Sequence, residues 1–433
     1  MASNGGRRGE LLLVAFHFPP IQLSSGVHRT LSFARFLPRF GWASRVLTVR
    51  PEAYPHVDDA NLELLPPGLE VIRSFALDAQ RHLSIGGKHP GFLSIPDRWQ
   101  SWIPSGIATG LRAVRRRRPT AIFSTYPVAS ALVIARAVHR RTGVPWIVDL
   151  RDPIVFGDYP APAGRRRRIY ESLERSVFDE AAAVIVATEG AKRLYRKRYP
   201  EAPPLHVIEN GVDHELFAEV RRETEPPRPG DEIRILHSGH VYANGRDPGP
   251  LFAALSILKD EGICAPSTLR IAFRATGCDD FVLAQARRHG VDDLIDVLPP
   301  VAYRDALLEM CSASGLLVLQ GKAFDSQIPA KVYEYLASGR PILALTGTNG
   351  ETGRMLRAFG VDALCPLEDR AAIVDALRGF VARLRSGDTQ PAAQDLYPLS
   401  RCERTERLAR VLDETLGALG PRSAERGIRA QRA

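Results

Sequence analysis

Two basic side chains and one carboxylate in the second half of this 433-residue chain stand where a doubly charged group could be gripped. His237-Ser238-Gly239-His240-Val241-Tyr242 leads into Gly245-Arg246-Asp247-Pro248. An arginine after a glycine-containing turn offers a planar, two-pronged donor to a diphosphate. Downstream, Pro329-Ala330-Lys331-Val332-Tyr333-Glu334-Tyr335-Leu336-Ala337-Ser338-Gly339 reads as a short helix, with Pro near its start and Gly after its end. Lys331 and Glu334 are three apart and share one face of it. The alternative for that pair is a surface ion pair worth a few tenths of a kcal/mol. The loop Gly347-Thr348-Asn349-Gly350-Glu351-Thr352-Gly353 then opens another helix N-terminus, whose N–H groups, at Gly350 and Thr352 among others, are suited to an anion.

The first half carries two further loops. Pro19-Pro20-Ile21-Gln22-Leu23-Ser24-Ser25-Gly26-Val27-His28-Arg29 joins a first strand to a first helix, and its small residues at 24–26 let backbone N–H groups approach a ligand. A simple turn is the competing reading. Asp149-Leu150-Arg151-Asp152-Pro153 follows a buried strand, and two carboxylates flanking an arginine there are costly unless paired or used. A structural ion pair is the alternative.

These loops need a frame that brings strand ends together. Leu11–Phe16, Ser44–Val49, Ala121–Ser124, Trp146–Leu150 and Ala183–Ala187 are apolar runs that read as strands buried on both faces. Val27–Phe40, Val128–Arg141 and Arg168–Phe178 read as helices between them, with Gly41 and Gly143 placed to cap two of them in the left-handed conformation. After a Pro-rich stretch (Pro226, Pro227, Pro229) the pattern restarts with Ile233–His237, Leu269–Arg274, Ile295–Leu298, Gly315–Leu319 and Pro341–Leu345. Alternating strands and helices with short connections give an α/β chain of two doubly wound, Rossmann-like domains facing each other across a cleft. The expected boundaries are an N-terminal domain over 1–212, a C-terminal domain over 213–395, an amphipathic helix over 396–418 crossing back to the N-terminal domain, and a disordered tail over 419–433.

Bulk composition sets limits on function. Apolar residues make up 45% and charged residues 25%, the balance of a folded globular protein. Five scattered cysteines show no paired metal-ligand spacing, and nothing resembles an Asp-x-Asp metal motif, so neither a metal nor a cofactor is expected. The run Leu11–Phe18 is broken by His17 and the Pro19-Pro20 pair, which argues for a strand over a signal peptide, and no stretch has the length of a membrane span. A cytoplasmic location is expected. The net charge of +9 is concentrated in Arg115–Arg118, Arg165–Arg168 and Lys192–Arg198. Solvated helix ends explain such runs; so does attraction to an anionic membrane at its inner face, where each near-surface charge contributes about 1 kcal/mol. The runs lack interleaved aromatic residues, so nucleic acid is not expected as a partner.

Taken in order, the first loop, Asp149–Pro153, Ile208-Glu209-Asn210-Gly211-Val212-Asp213, the Gly239 and Arg246 turn, and Lys331–Pro341 resemble the retaining family-four glycosyltransferases of the GT-B type, in the version seen in a polysaccharide-building subset. The resemblance runs from residue 11 to about residue 416. It implies transfer of a sugar from a nucleotide-diphosphate-sugar donor, with retention, to a glycan, lipid-linked or small-molecule acceptor. It implies a donor site in the C-terminal domain, with Arg246 and Lys331 on the diphosphate, Glu334 on the ribose, and Gly26, Gly239, His240, Gly350 and Thr352 completing the donor contacts. Asp152 is expected to orient the acceptor hydroxyl, with Arg151 beside the donor. The family's first glutamate falls here on Ser326, leaving Asp325 or Gln327 to meet the sugar. Two other functions share these features: a non-hydrolysing sugar-nucleotide epimerase, and an idle homologue serving as a binding subunit.

Overall fold

The computed structural model describes residues 8–22, 25–86, 88–155, 164–225, 227–228, 230–387 and 395–419. The chain divides into two compact units: Met1–Asn210 with Arg401–Ala433, and Gly211–Ser400. The second unit therefore begins at Gly211 where 213 was expected, and the last helix is part of the first unit. Of the expected 419–433 tail only Leu419 is among the described residues.

In the first unit β1 (Gly9–Val14), α1 (Ser25–Phe36), β2 (Trp42–Val49), β3 (Glu70–Ser74), α2 (Ala79–His82), α3 (Trp102–Arg116), β4 (Ala121–Tyr126), α4 (Ala129–Thr142), β5 (Trp146–Leu150), α5 (Arg165–Glu180), β6 (Ala183–Val186), α6 (Glu189–Arg198) and β7 (Leu205–Val207) follow in order. The strands form a parallel sheet ordered β3-β2-β1-β4-β5-β6-β7. Gly41 (φ 82°) and Gly143 (φ 65°) take the left-handed caps expected of them. The short edge strands β3 and β7 were missed by apolar patterning, since their residues are mostly half-buried.

The second unit contains α7 (His214–Glu223), β8 (Ile233–Ser238), α8 (Gly249–Asp260), β9 (Leu269–Arg274), α9 (Asp279–Arg288), β10 (Ile295–Leu298), α10 (Tyr303–Ser312), β11 (Gly315–Gln320), α11 (Ala330–Ser338), β12 (Ile342–Thr346), α12 (Glu351–Ala358), β13 (Leu364–Cys365) and α13 (Arg370–Ser386). Its parallel sheet runs β10-β9-β8-β11-β12-β13. The residue entering the unit, Val212, is bridged to the residue leaving it, Ser400, and the Val212 N–H donates to the Leu399 carbonyl. The last helix, α14 (Arg401–Leu419), buries Leu408, Ala409 and Leu412 with Leu31, Phe33 and Leu37 in the first unit's core.

Each sheet is apolar on both faces, so charge inside it must be matched. Arg29 of α1 is 6% exposed and Asp149 at the end of β5 is 0% exposed. Two parallel N–H donors of Arg29 meet both Asp149 oxygens at 2.8 Å. The remaining donors reach the Ile208 and Glu209 carbonyls at 2.9 and 2.8 Å, and the Thr125 hydroxyl donates to Asp149. This pair ties α1, β4, β5 and the chain after β7 into one block. Removing one partner of a buried pair leaves an uncompensated charge and costs about 3–5 kcal/mol, whereas apolar replacement of both is often neutral. Asp149→Ala should therefore lower the unfolding free energy measured in urea by an amount in that range, and the Arg29→Met/Asp149→Leu double variant should recover most of it. Equal losses for single and double variants would show that the pair is not the tie.

Candidate functional site

In the second unit the strand order reverses between β8 and β11, so the loops after these two strands part and leave a crevice at their carboxyl ends. The Gly321 N–H, just after β11, donates to the Gly245 carbonyl at 2.7 Å and pins the two loops together. Gly239 (φ 106°) and Gly245 (φ 90°) adopt backbone conformations open to glycine. A Cβ at Gly245 would sit 2.3 Å from the Phe324 ring, so the loop closes onto that ring only because the side chain is missing. Arg246 lies over Phe324 on one side and Tyr242 on the other, 5.9 and 5.0 Å from the ring centroids, and donates to the His240 carbonyl. The aromatic rings fix the plane of its donor fork.

Lys331, in the first turn of α11, joins this group. Its Nζ is 3.0 Å from His237 Nε2, and a Cβ at Gly239 would lie 3.2 Å from Nζ. The fully buried His237 has its Nδ1 2.9 Å from the Leu317 carbonyl. A carbonyl only accepts, so Nδ1 carries the ring proton and Nε2 is the acceptor for the Lys331 amine. Burial, with Lys331 next, holds His237 well below its ordinary pKa and the ring neutral. Desolvation, then the Arg246 guanidinium, pushes the Lys331 amine well below the usual lysine value, with Glu334 opposing. The amine of Lys331 is thus hydrogen-bonded to a neutral ring. Glu334 Oε1 accepts from the Tyr303 hydroxyl at 2.9 Å. His240, its own pKa lowered by burial and then by the same two cations, packs its ring over Gly277.

The Gly347–Gly353 turn is organised differently from expectation. The Gly350 N–H is spent on the Gly347 carbonyl and the Glu351 N–H on the Asp325 carbonyl. The Thr352 hydroxyl is buried and donates to Gln320 Oε1 at 2.7 Å. The Gly350 assignment corrects the reading of that N–H as a ligand group: any anion contact at this turn falls to backbone beyond Glu351, the Thr352 N–H included. Asp325 presses against the turn, its Oδ1 2.4 Å from where a Gly347 Cβ would be. That oxygen is buried without a hydrogen-bond partner, and burial, then Glu368, raises the carboxyl pKa.

In the first unit, the space at Gly26 is filled by protein: a Cβ there would sit 2.7 Å from Arg151 Nη1 and 3.1 Å from His17 Nδ1. Gly26 thus makes room for a guanidinium and an imidazole, and Leu23 and Ser24 lie outside the described residues. Burial and then Arg151 push His17 down to about 3, so the ring is neutral. Burial lowers the Arg151 pKa and Asp152 opposes the shift, which makes Asp152 its near neighbour, whereas Asp149 belongs to Arg29. The expected carboxylate–arginine–carboxylate set is split in this way.

Sequence reasoning assigned no role to His237, Tyr303, Phe324 or Gln320. The available signal was a polar residue at the carboxyl end of an apolar strand, as in Gly315–Gln320, where Gln320 is 0% exposed and donates to the Phe324 and Gln327 carbonyls. Arg246 carries the direct test of the crevice. Loss of one charge-assisted contact is worth roughly 1.5–3 kcal/mol. Arg246→Ala should weaken nucleoside diphosphate binding roughly ten- to hundredfold by calorimetry, and an unchanged Kd would remove Arg246 from the site.

Residues 25–211 match the family described as Glycosyl transferase 4-like domain. Over 273 residues the chain is 23% identical to the probable glycosyltransferase WbjE of Pseudomonas aeruginosa, which covers 60% of this chain and 65% of that protein's length. Among solved structures, sucrose-phosphate synthase from Thermosynechococcus elongatus superposes with a TM-score of 0.61 at 13% identity, over 98% of this chain and 100% of the other. HepE from Anabaena, in complex with UDP-glucose, gives 0.58 at 13% identity, over 94% and 100%. The chain thus carries a glycosyl transferase 4-like domain in residues 25–211 and has the fold of the GT-B glycosyltransferases.

Proposed function

We propose that the protein transfers a sugar, with retention, from a nucleotide-diphosphate-sugar to an acceptor, and that a UDP-sugar is the first donor to test. The observation that carries this reading is the Lys331 amine, desolvated beside Arg246 at the β8/β11 switch point and hydrogen-bonded to the neutral His237 ring. A leaving diphosphate supplies negative charge. As the bond to the sugar breaks, charge builds on the diphosphate oxygens, and fixed cations in a site of low polarity stabilise it. That role does not need a resident metal ion. Glu334, steadied by Tyr303, is assigned to the ribose hydroxyls, the partnerless oxygen of Asp325 to a sugar hydroxyl, and Asp152 to the acceptor hydroxyl. The structure of HepE in complex with UDP-glucose makes uridine the base of choice for the first assays.

The test is a thermal-shift screen of UDP, dTDP, GDP and ADP, followed by product analysis of the corresponding sugar nucleotides. A ligand at 100 times its Kd adds about 2.7 kcal/mol. One diphosphate should therefore raise the melting temperature by several degrees, and its sugar should appear on an added acceptor in the presence of a chelator. Asp325→Asn should weaken the sugar nucleotide and leave the free diphosphate unaffected. Conversion of the donor to an epimer without acceptor would point to the epimerase, and no stabilisation by any diphosphate would point to the idle homologue. Loss of turnover on chelation would overturn the metal-free part alone.

We further propose that the acceptor is lipid-linked and that the first unit meets an anionic membrane at its inner face as a peripheral protein. Among the described residues no helix is long and apolar enough to cross a membrane. Arg165–Arg168 form the first turn of α5, with no acidic residue there, although a helix N-terminus disfavours cations. An external anion would offset that cost. Arg115 and Arg118 are exposed, while Arg117 is engaged with Glu10 and Glu70. Co-sedimentation should show binding to anionic but not neutral vesicles, lost at high salt because screening acts over about 8 Å at physiological ionic strength. Replacement of Arg165–Arg168 by Gln should reduce it. Equal, negligible pelleting with both vesicle types would leave a soluble acceptor.

A further inference from the structure

His237 lies behind the surface of the crevice, is completely buried, and has no role in the reaction just described. Its surroundings leave it one state. The Leu317 carbonyl requires a proton on Nδ1, which leaves a lone pair on Nε2 directed at Lys331 Nζ, 3.0 Å away. On the other side of the amine stands the Gly239 turn, with a potential Cβ position 3.2 Å from Nζ. An amine held between an imidazole lone pair and a backbone turn has its direction fixed, yet its hydrogen-bond partner among the described residues is neutral.

We propose that His237 is a positioning residue for Lys331, and that the pair takes up one proton when a nucleoside diphosphate binds. This rests on the donor reading above. In the free protein the amine faces the Arg246 guanidinium and His240 from the loop after β8, and Glu334 on its own helix, itself engaged by Tyr303 of α10. Tyr335 of α11 is turned to the Ser238 N–H, where its oxygen accepts at 2.8 Å. Desolvation disfavours the charged amine first, the Arg246 guanidinium adds to that, and Glu334 opposes it. A bound diphosphate reverses this balance. The proton comes from solvent, forms the third N–H bond of the ammonium, and breaks no bond in protein or ligand. His237 remains neutral in both states, because a proton on Nε2 would put two N–H donors face to face. The ring therefore aims the amine lone pair or ammonium without competing for the proton.

The sign follows from linkage. Lys331 binds its proton more tightly in the complex than in the free protein, so uptake occurs between its free and bound pKa values, and affinity falls as pH rises through that interval. At pH 8 a terminal phosphate group, whose second pKa is about 6, is already fully ionised and contributes no proton of its own. The experiment is calorimetry of the full-length protein with UDP, dTDP, GDP and ADP at pH 8, in buffers of different ionisation enthalpy. Binding enthalpy plotted against buffer enthalpy should have a slope showing uptake of a fraction of a proton, up to one. In Lys331→Met the slope should vanish. His237→Leu should weaken binding by about tenfold, and His237→Gln, which presents a carbonyl acceptor, should regain part of that loss. If His237→Leu fails to fold, the wild-type slope, its loss in Lys331→Met and the affinity of His237→Gln still decide. Binding with no buffer dependence, or uptake that persists in Lys331→Met, overturns the inference and leaves the donor reading standing. No binding of any diphosphate overturns both.

Discussion

Taking a cation out of water costs several kcal/mol unless an anion or hydrogen-bond acceptors replace the lost hydration, and the two units meet that constraint in opposite ways. In the first unit two buried arginines are matched by carboxylates and carbonyls. Arg29 is bound by Asp149 and two carbonyls; Arg45, 1% exposed in the middle of β2, is bound by Glu10 and the Ala113 and Arg117 carbonyls. In the second unit Lys331 is left with an imidazole nitrogen. Two buried arginines are thus met by carboxylates, whereas the amine of Lys331 is met by a neutral ring at one place in the second sheet. That place is the carboxyl end of a parallel sheet at its switch point.

Topology explains why the amine falls there. Loops after neighbouring parallel strands normally cross on the same side and cover one another; where the order reverses they diverge and leave a crevice. The Gly321–Gly245 hydrogen bond keeps the two loops in fixed relation, and the Arg29–Asp149 pair plays the corresponding part in the first unit by anchoring the segment that leaves it. Outside that segment, Glu209 meets Arg404 and Arg407 of α14. The last residues of the first unit are thereby held from the core side and from the helix side, so the position at which the chain passes into Gly211 is set by ion pairs on both sides.

How much of this was legible in the sequence depended on whether the signal was local. Central strands such as Trp146–Leu150 and Leu269–Arg274 are found where the apolar runs put them, because burial on both faces demands an unbroken run. β3, β7 and β13 sit at sheet edges, where one side is open and the run can be short or polar. Arg246, Lys331 and Glu334 were readable because glycine turns and helix caps flank them. Nothing near Arg29 names Asp149, 120 residues away, as its partner. Likewise, nothing in the loop sequence tells that the Gly350 N–H is already bonded to the Gly347 carbonyl. A motif indicates which residues share a loop; only the packing shows whose hydrogen-bonding capacity has already been used.

The glycines of the crevice then have a more specific part than flexibility. At Gly239, with φ at 106°, an L side chain is strained, and the Cβ would also press on Lys331 Nζ. At Gly245 the same atom would enter the Phe324 ring, which is one of the two faces that hold Arg246. Each missing side chain is thus the space occupied by a cation or by the ring that orients one. Backbone shape, rather than a neutralising carboxylate, fixes where Lys331 points, with the His237 lone pair completing its support. An acidic residue in that role would compete with the proposed diphosphate for the same charge. Glycine and neutral imidazole position the amine and leave its charge for the ligand.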